Sequence, residues 1–214
     1  QINYAAIVEQ LGLQGIRRAP ADVAQAEYRA RVRLDPHLAP GASTESQSVA
    51  GYYFRYVLEE LGIFDPEISR AIAEWRKSYN LPVGLWNQAD PEALEILRRL
   101  RSEGVRTGVI SNSNGSVKQI LEELELARHL DFILDSAVVG VEKPDPRIFR
   151  LALEAARVKA EEAVYIGDLY SVDVLGARGA GLEAILLDPG GVWGDRDCPK
   201  AKSLSEAVEL ALSG

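Results

Sequence analysis

The first part of the chain is patterned as helices. Apolar residues recur three and four positions apart within residues 4–11, 21–33, 49–61 and 66–79, and this period is typical of amphipathic helices. A stretch rich in proline, glycine and serine, residues 36–43, predicts a break after the second helix. No convincing strand pattern occurs here, so we predict an all-helical domain over residues 1–86.

After residue 86 the pattern changes to short apolar runs that alternate with helical segments. The runs at 107–110, 132–139, 163–166 and 184–187 predict strands, and the segments 91–101, 116–126, 146–157, 171–180 and 203–212 predict helices. Short buried strands that alternate with longer helices indicate a doubly wound parallel sheet. We therefore predict an α/β protein whose Rossmann-like core spans residues 87–214, beside the smaller helical domain.

Composition narrows the classes of function. The chain has 214 residues, 47% hydrophobic and 26% charged, as in ordinary globular proteins. Its 24 lysines and arginines against 32 aspartates and glutamates give a net charge of −8, which disfavours binding to nucleic acid or to an anionic membrane. The single cysteine, Cys198, and the lack of a long apolar run predict a cytoplasmic protein. We expect a monomer or homodimer.

Polar residues follow three of the predicted strands at their carboxyl ends, where doubly wound sheets bind ligands. Ser111 and Asn112 end one apolar run, Lys143 lies in the loop after another, and Asp168 follows Gly167 at the end of a third. Taken alone, Ser111 and Asn112 are ordinary turn or helix-cap residues. A lysine such as Lys143, taken alone, is more often a solvated loop residue than a catalytic one. Their common position suggests a single site.

Lys143 and the pair Asp168 and Asp173 indicate phosphate and metal chemistry. Pro144 and Pro146 stiffen the loop around Lys143, and a rigidly placed ammonium group can serve as a point charge for phosphate. Asp173 follows Asp168 within the first turn of the next predicted helix. Two neighbouring carboxylates repel unless a cation joins them, and a Mg²⁺ ion suits such a pair. We predict a Mg²⁺ site at Asp168 and Asp173.

The ordered set of motifs resembles a known family. Ser111-Asn112, Lys143-Pro144 and Gly167-Asp168 with Asp173 look like the second, third and fourth motifs of the haloacid dehalogenase (HAD) superfamily. The resemblance covers residues 88–188 directly. The helical first part, residues 1–86, is similar to the helical cap that one large subfamily inserts between its first and second motifs.

The resemblance implies a Mg²⁺-dependent hydrolase, in the first place a phosphatase that acts on a small phosphorylated metabolite. Ser111 and Asn112 would bind the transferring phosphoryl group, with backbone N–H groups of the following helix start. Lys143 would pair with the nucleophile and the phosphate, and Asp168 and Asp173 would serve the metal. The family's haloacid dehalogenases work without metal and lack the Gly-Asp acid, and receiver domains match neither that acid nor a helical cap.

The chain departs from the family at its first motif. There an Asp-x-Asp after an apolar strand supplies the nucleophile and the acid–base group. Here the one Asp-x-Asp lies at residues 195–197, in a loop after two glycines, and we interpret it as a surface turn. The missing strand belongs between those that end at Ser111 and Asp168. We hypothesise that roughly ten to twenty residues before Gln1 supply it; the alternative is a catalytically inactive HAD-fold binding or regulatory protein.

Two further expectations concern the cap and the lysine. In capped members the cap selects the substrate, and the candidates here are Arg17, Arg18, Tyr52, Tyr53, Arg55 and Tyr56. The loop around Trp86 and Asn87 is the expected second linker, where hinge motion would open the site. We also expect Lys143→Ala to cost activity far more than stability, because the carboxylates would lose their nearby cation.

Overall fold

The computed structural model describes residues 1–38, 43–44, 46–79 and 84–213. Helices make up the first part of this range, and strands alternate with helices in the second. Both features follow the predicted α/β class with a helical domain. None of the described helices is long and apolar enough to cross a membrane.

The described residues of the first part form four helices, as the periodicity predicts: α1 (Tyr4–Leu13), α2 (Pro20–Leu38), α3 (Gln47–Glu60) and α4 (Pro66–Tyr79). The side chain of Asn3 caps α1 by accepting a hydrogen bond from Ala6 N at 3.1 Å. Ser46 caps α3 through Val49 N at 3.3 Å. Each cap satisfies an N–H group that has no partner inside the helix, which favours a helix start at that residue.

The predicted break at Pro36 is wrong in position, because α2 continues through Pro36 to Leu38. A proline inside a helix removes a hydrogen bond and strains the preceding turn. Leu34 and Leu38 are 5% and 0% exposed, and the burial of these side chains offsets that cost. The remainder of the predicted break, residues 39–42, lies outside the described residues.

Strands and helices alternate after Trp86, as predicted. The strands are β1 (Gly108–Ser111), β2 (Phe132–Asp135), β3 (Val164–Gly167), β4 (Glu183–Leu187) and β5 (Lys200–Ala201). The helices are α5 (Ala93–Ser102), α6 (Val117–Glu123), α7 (Ser136–Val139), α8 (Pro146–Ala156), α9 (Leu175–Gly179) and α10 (Leu204–Ser213). We did not predict β5, which at two residues is too short to show a period.

Two predicted elements differ in the structure. The apolar run 132–139 splits into β2 and α7, because the Asp135 carboxylate accepts a hydrogen bond from Ala137 N at 3.0 Å and caps a helix there. The helix predicted over residues 171–180 is a π-helical turn, Tyr170–Val174, followed by α9. Such turns are frequent at functional sites, and this one carries Asp173.

The strands pair in parallel, in two separate ladders. β1 pairs with β2, while β3 pairs with β4 and β4 with β5. Within the described residues no ladder joins β1 to β3, yet the Tyr165 hydroxyl of β3 lies 3.4 Å from Ile110 O of β1. Both strands are at most part-buried, whereas central strands of doubly wound sheets are buried on both faces. β1 and β3 therefore lie near each other with unpaired edges.

The helical part packs on the core through α2. One apolar cluster joins side chains of α1 to α4 with Val172 of the π-helical turn. Asp35 of α2 accepts a hydrogen bond from Ser171 N at 2.8 Å. Tyr28 packs so closely on Gly190 that a Cβ there would lie 2.8 Å from its side chain. These contacts place α2 beside Asp168, and the domain boundary at residue 86 stays a prediction.

Candidate active site

The carboxyl ends of β1 and β3 and the loop before α8 open into one cavity of about 580 Å³. Its lining includes the five residues predicted from the sequence: Ser111, Asn112, Lys143, Asp168 and Asp173. Side chains of α2 and α3 also line it. The tertiary structure therefore brings all five predicted residues to one place, between the sheet edge and the helical part.

Asp173 anchors this site. It is 2% exposed, and its Oδ2 accepts hydrogen bonds from Asp168 N at 3.0 Å and Leu169 N at 2.9 Å. Its Oδ1 accepts from Lys143 Nζ at 2.8 Å and from the Tyr165 hydroxyl at 3.4 Å. Because the protein engages both oxygens, Asp173 positions Lys143 and the Asp168 loop. The expected role of Asp173 in supporting a metal ion, directly or through water, stays a prediction.

The close approach of Asp173 to β3 depends on Gly167. A Cβ added at Gly167 would lie 2.4 Å from the Cβ of Asp173, a separation that no side chain tolerates. The π-helical turn can therefore fold back over the end of β3 only because residue 167 has no side chain. Gly167 is thus a packing requirement as well as part of a chemical motif.

Lys143 is buried with its partner. Its side chain is 12% exposed, and Nζ also donates a hydrogen bond to the Tyr165 hydroxyl at 3.0 Å. Burial lowers the pKa of Lys143, but the Asp173 carboxylate and Tyr165 outweigh it, so the pKa lies above its usual value. Lys143 is therefore a fixed cation. Sequence reasoning missed Tyr165, because an aromatic residue inside an apolar run signals only a strand.

The side chain of Asn112 ties loops together. Its Oδ1 accepts a hydrogen bond from Lys143 N at 2.8 Å, and its Nδ2 donates to Lys143 O at 2.9 Å and to Thr44 Oγ1 at 3.1 Å. These bonds hold the lysine loop and a segment of the helical part against the end of β1. A direct contact between the Asn112 amide and phosphate, as expected from the sequence, would have to replace them.

Ser111 ends β1 and faces the cavity. Its hydroxyl lies 3.5 Å from Asn112 O, a contact too long to hold the group, so the hydroxyl can turn to a ligand. The expected backbone donors are partly engaged elsewhere. Gly115 N and Val117 N donate to the buried Asp135 carboxylate at 3.1 and 3.2 Å. Asp135 therefore takes two of the loop and helix-start donors that we expected to bind phosphate.

Asp168 is the more exposed of the two predicted carboxylates. Its side chain is 43% exposed, and it forms an ion pair with Nη1 of Arg31. Arg31 also lines the cavity. Nothing in the sequence pattern distinguishes Arg31 from Arg29 and Arg33 on the same helix. Its position beside Asp168 depends on the packing of α2 against the core.

Arg31 is held from behind by Glu27, one turn earlier on α2. Glu27 is 0% exposed, pairs with Nε of Arg31, and accepts hydrogen bonds from the hydroxyls of Tyr4 and Tyr53. Burial lowers the pKa of Arg31, but Asp168 and Glu27 raise it by more. The guanidinium is therefore permanently charged and fixed beside Asp168.

One residue of the cavity, Asp168, is suited to bind a Mg²⁺ ion. Across the described residues, no group of three or more histidine, cysteine or carboxylate side chains is placed to hold a metal. Mg²⁺ is usually held by one or two carboxylates, with substrate oxygens and water completing the shell. Asp168 suits that part because it is partly exposed. Glu27 and Asp173 each accept hydrogen bonds from protein donors at both oxygens.

Of the six candidates for substrate selection, Tyr53 lines the cavity. The other five are not among the described residues that line it: Arg17, Arg18, Tyr52, Arg55 and Tyr56. Tyr52 and Tyr56 stack with their ring centroids 6.3 Å apart, and Arg55 lies over both rings. Arg31 of α2, which was not among the six candidates, also lines the cavity.

The Asp-x-Asp at residues 195–197 lies away from the cavity. Asp195 and Asp197 are exposed, and Asp197 pairs with Arg178 at 3.2 Å and accepts a hydrogen bond from the Tyr170 hydroxyl. Neither is among the described residues of the cavity lining. This placement agrees with a surface turn and gives the pair no access to the strand ends.

Known proteins match most of the chain in sequence. The family model described as haloacid dehalogenase-like hydrolase matches residues 6–181. Haloacid dehalogenase-like hydrolase domain-containing protein 3 of Bos taurus is 31% identical over 187 residues, 87% of this chain and 74% of that protein. A phosphoserine phosphatase of Thermus thermophilus is 39% identical over 140 residues, 64% of this chain and 53% of that protein. The latter match spans only about half of that relative.

A solved structure shares the fold. The HAD-hydrolase YfnB of Bacillus subtilis, solved with bound magnesium, has a TM-score of 0.63 at 20% identity, covering 99% of this chain and 93% of that one. At this identity the likeness concerns the fold alone. It supports the arrangement of a parallel-stranded core with a helical domain.

Proposed function

The chain belongs to the family of haloacid dehalogenase-like hydrolases, and we propose that it is a Mg²⁺-dependent phosphatase of small phosphorylated metabolites. The observation that carries this proposal is the buried Lys143–Asp173 pair, which lies directly behind Asp168. The similarity to a phosphoserine phosphatase supports phosphate-ester chemistry. A fixed cation beside a partly exposed carboxylate suits a metal-assisted phosphoryl transfer.

Each residue of the site has a part in this proposal. The Lys143 ammonium stabilises the negative charge that spreads over the phosphoryl oxygens, and the Ser111 hydroxyl donates a hydrogen bond to one of them. Asn112 and Asp173 hold Lys143 in place. Asp168 would bind Mg²⁺, which when bound supplies positive charge and orients the phosphate.

A strand that ends in Asp-x-Asp, inserted between β1 and β3, would complete the catalytic set. The unpaired edges and partial burial of β1 and β3 support this position. The first aspartate would attack phosphorus while the ester oxygen leaves with a proton from the second. Water would then hydrolyse the aspartyl phosphate, with the second aspartate acting as base.

The other candidate functions fit the site less well. A haloacid dehalogenase needs no metal ligand, so it leaves Asp168 without a part. A catalytically inactive protein would keep the fold and bind phosphate without turnover, and it is the reading that applies if no Asp-x-Asp strand joins β1 and β3. Lys143, Ser111 and Asp168 would then form a binding site only.

The test is hydrolysis of p-nitrophenyl phosphate by the full-length protein with and without Mg²⁺. We expect Mg²⁺-dependent turnover, and we expect Asp168→Asn to lose both turnover and the Mg²⁺ binding measured by calorimetry. The variant should stay folded, because Asp168 is 43% exposed. Asp195→Asn, in the exposed loop, is the control and should change neither quantity. Phosphate binding without any turnover would favour the inactive binding protein.

A further inference from the structure

We propose that Arg31 binds an anionic group on the leaving part of the substrate, so that the enzyme prefers phosphate monoesters carrying a second negative charge. This inference rests on the proposed phosphatase function and adds a substrate class to it. The group would be a carboxylate or a second phosphate, both of which match the paired donors of a guanidinium.

The first argument is the direction from which Arg31 enters. Ser111, Lys143 and Asp168 reach the cavity from the core, whereas Arg31 reaches it from α2. A phosphoryl group held by the core residues places the rest of the substrate toward the helical part. Arg31 is therefore positioned for the leaving group, next to the site of phosphoryl transfer.

The second argument is that Arg31 already binds a carboxylate at this place. Its Nη1 pairs with Oδ2 of Asp168, while its Nε pairs with Glu27. Its Nη2 has no hydrogen-bond partner among the described residues, and Arg31 lines the cavity. The guanidinium of Arg31 thus faces the carboxylate of Asp168 and is held by that of Glu27. A substrate carboxylate could bind to its remaining donors.

The third argument is rigidity. Glu27 is fully buried and is itself held by the hydroxyls of Tyr4 and Tyr53. Asp35, one turn after Arg31, fixes α2 to Ser171 of the core. A side chain that is ordered before the ligand arrives loses little conformational entropy on binding. The helix thus presents Arg31 at a set distance from the strand ends, as a specificity residue requires.

The other cations of the lining have different tasks. Lys143 is committed to Asp173 and Tyr165, and Arg76 lies over the Phe54 ring at 4.8 Å. Arg31 is the described cation that lies beside Asp168 and comes from the helical part. A substrate with a neutral leaving group would forgo this contact.

The experiment compares two substrates of nearly equal size in the full-length enzyme. Phosphoglycolate carries a carboxylate where 2-hydroxyethyl phosphate carries a neutral hydroxymethyl group. We expect Arg31→Gln to lower kcat/KM for phosphoglycolate about 10- to 100-fold and for hydroxyethyl phosphate less than about threefold, as for the loss of one charge-assisted contact. Propane-1,3-diol bisphosphate against 3-hydroxypropyl phosphate then shows whether a second phosphate is recognised in the same way.

The matched control is Arg33→Gln on the same helix. Arg33 pairs with Glu59 and Glu60 and is 38% exposed, and it is not among the described residues of the cavity lining. Its replacement should leave the ratio of the two kcat/KM values unchanged. Because Arg31→Gln leaves the buried Glu27 without its cation, the double variant Glu27→Gln/Arg31→Gln is measured as well, after circular dichroism has shown that it is folded.

The outcomes separate this inference from the proposed function. An equal loss for both substrates, or no loss for either, would overturn the role of Arg31 while wild-type turnover upheld the phosphatase. If the wild type hydrolyses neither substrate, calorimetric binding decides the role of Arg31, and the p-nitrophenyl phosphate assay decides the proposed function separately. Phosphoglycolate should then bind about tenfold more weakly to Arg31→Gln with inorganic phosphate unchanged, and equal phosphoglycolate binding would overturn the inference.

Discussion

At the scale of single residues, the chemistry of the site and the stability of the core depend on the same side chains. Lys143 and Asp173 form an ion pair at 2.8 Å with side chains that are 12% and 3% exposed. A buried pair is tolerated only while both charges are present, because either one alone is costly. The buried pair therefore adds a large expected loss of stability to the loss of activity that the sequence predicts for Lys143→Ala.

We expect Lys143→Ala to lower the free energy of unfolding by about 3–5 kcal/mol, because it leaves Asp173 buried without its cation. Turnover should be lost as well. Urea unfolding measures the first effect. Lys118→Ala is the control, because that lysine is 74% exposed on α6. Unchanged stability in Lys143→Ala would show that Asp173 does not need its partner.

The same cluster predicts a sensitivity to alkaline pH. Burial raises the pKa of Tyr165, and the pKa of Lys143 is raised as well. Both groups hold their protons more tightly in the folded chain, so the stability that they contribute is present below their unfolded pKa values, near pH 10. It declines as the pH rises toward the folded values.

We therefore expect the free energy of unfolding to fall above about pH 10, and to fall less steeply in Tyr165→Phe, which lacks one of the two groups. Urea unfolding at successive pH values measures the slope. The Tyr165→Phe variant should fold at neutral pH, because it keeps the ring that packs edge-on against Phe149. Identical slopes in the two proteins would contradict the raised pKa of Tyr165.

At the scale of elements, the contacts of the charged residues of α2 depend on the elements that pack against it. Its period places the apolar face, and Val23, Ala26, Ala30 and Leu34 are buried as that period requires. The period does not indicate that the charged residues Glu27, Arg31 and Asp35 of the same helix also face the core. These charged residues are spaced four apart, and on a helix such residues share one side.

We expect Asp35→Ala to destabilise the protein by about 1–3 kcal/mol, because Ser171 N loses its partner in a buried place. Hydrogen exchange at Ser171 should become faster. Asp35→Asn keeps an acceptor oxygen and should restore most of the protection. Wild-type protection of Ser171 in the alanine variant would mean that this contact does not hold α2 to the core.

At the scale of the whole molecule, the two ladders are the main feature. β1 with β2 and β3 with β4 and β5 are each internally paired, and their neighbouring edges are not joined in the described residues. A row of unpaired backbone groups on a buried strand is costly. The proposed Asp-x-Asp strand would pair both edges and bring the nucleophile to Lys143 in the same step.

We expect the amides of β1 and β3 to exchange as slowly as those of β4 in a full-length protein that supplies this strand. In the isolated chain of residues 1–214 they should exchange faster, because the two strands keep unpaired edges. Hydrogen exchange with mass spectrometry compares the two chains, and β4 serves as the internal reference. Equal exchange of β1 and β3 in both chains would contradict the proposed position.

The sequence alone determined the element order, the α/β class and the family resemblance, because these depend on local periods and on the rule that parallel strands collect polar residues at their carboxyl ends. It also located Ser111, Lys143, Asp168 and Asp173 in one cavity. Only the tertiary structure decided how their atoms are used. The partners of Asp173, the donors taken by Asp135, and the presence of Arg31 all depend on contacts between distant elements, which local periodicity does not encode.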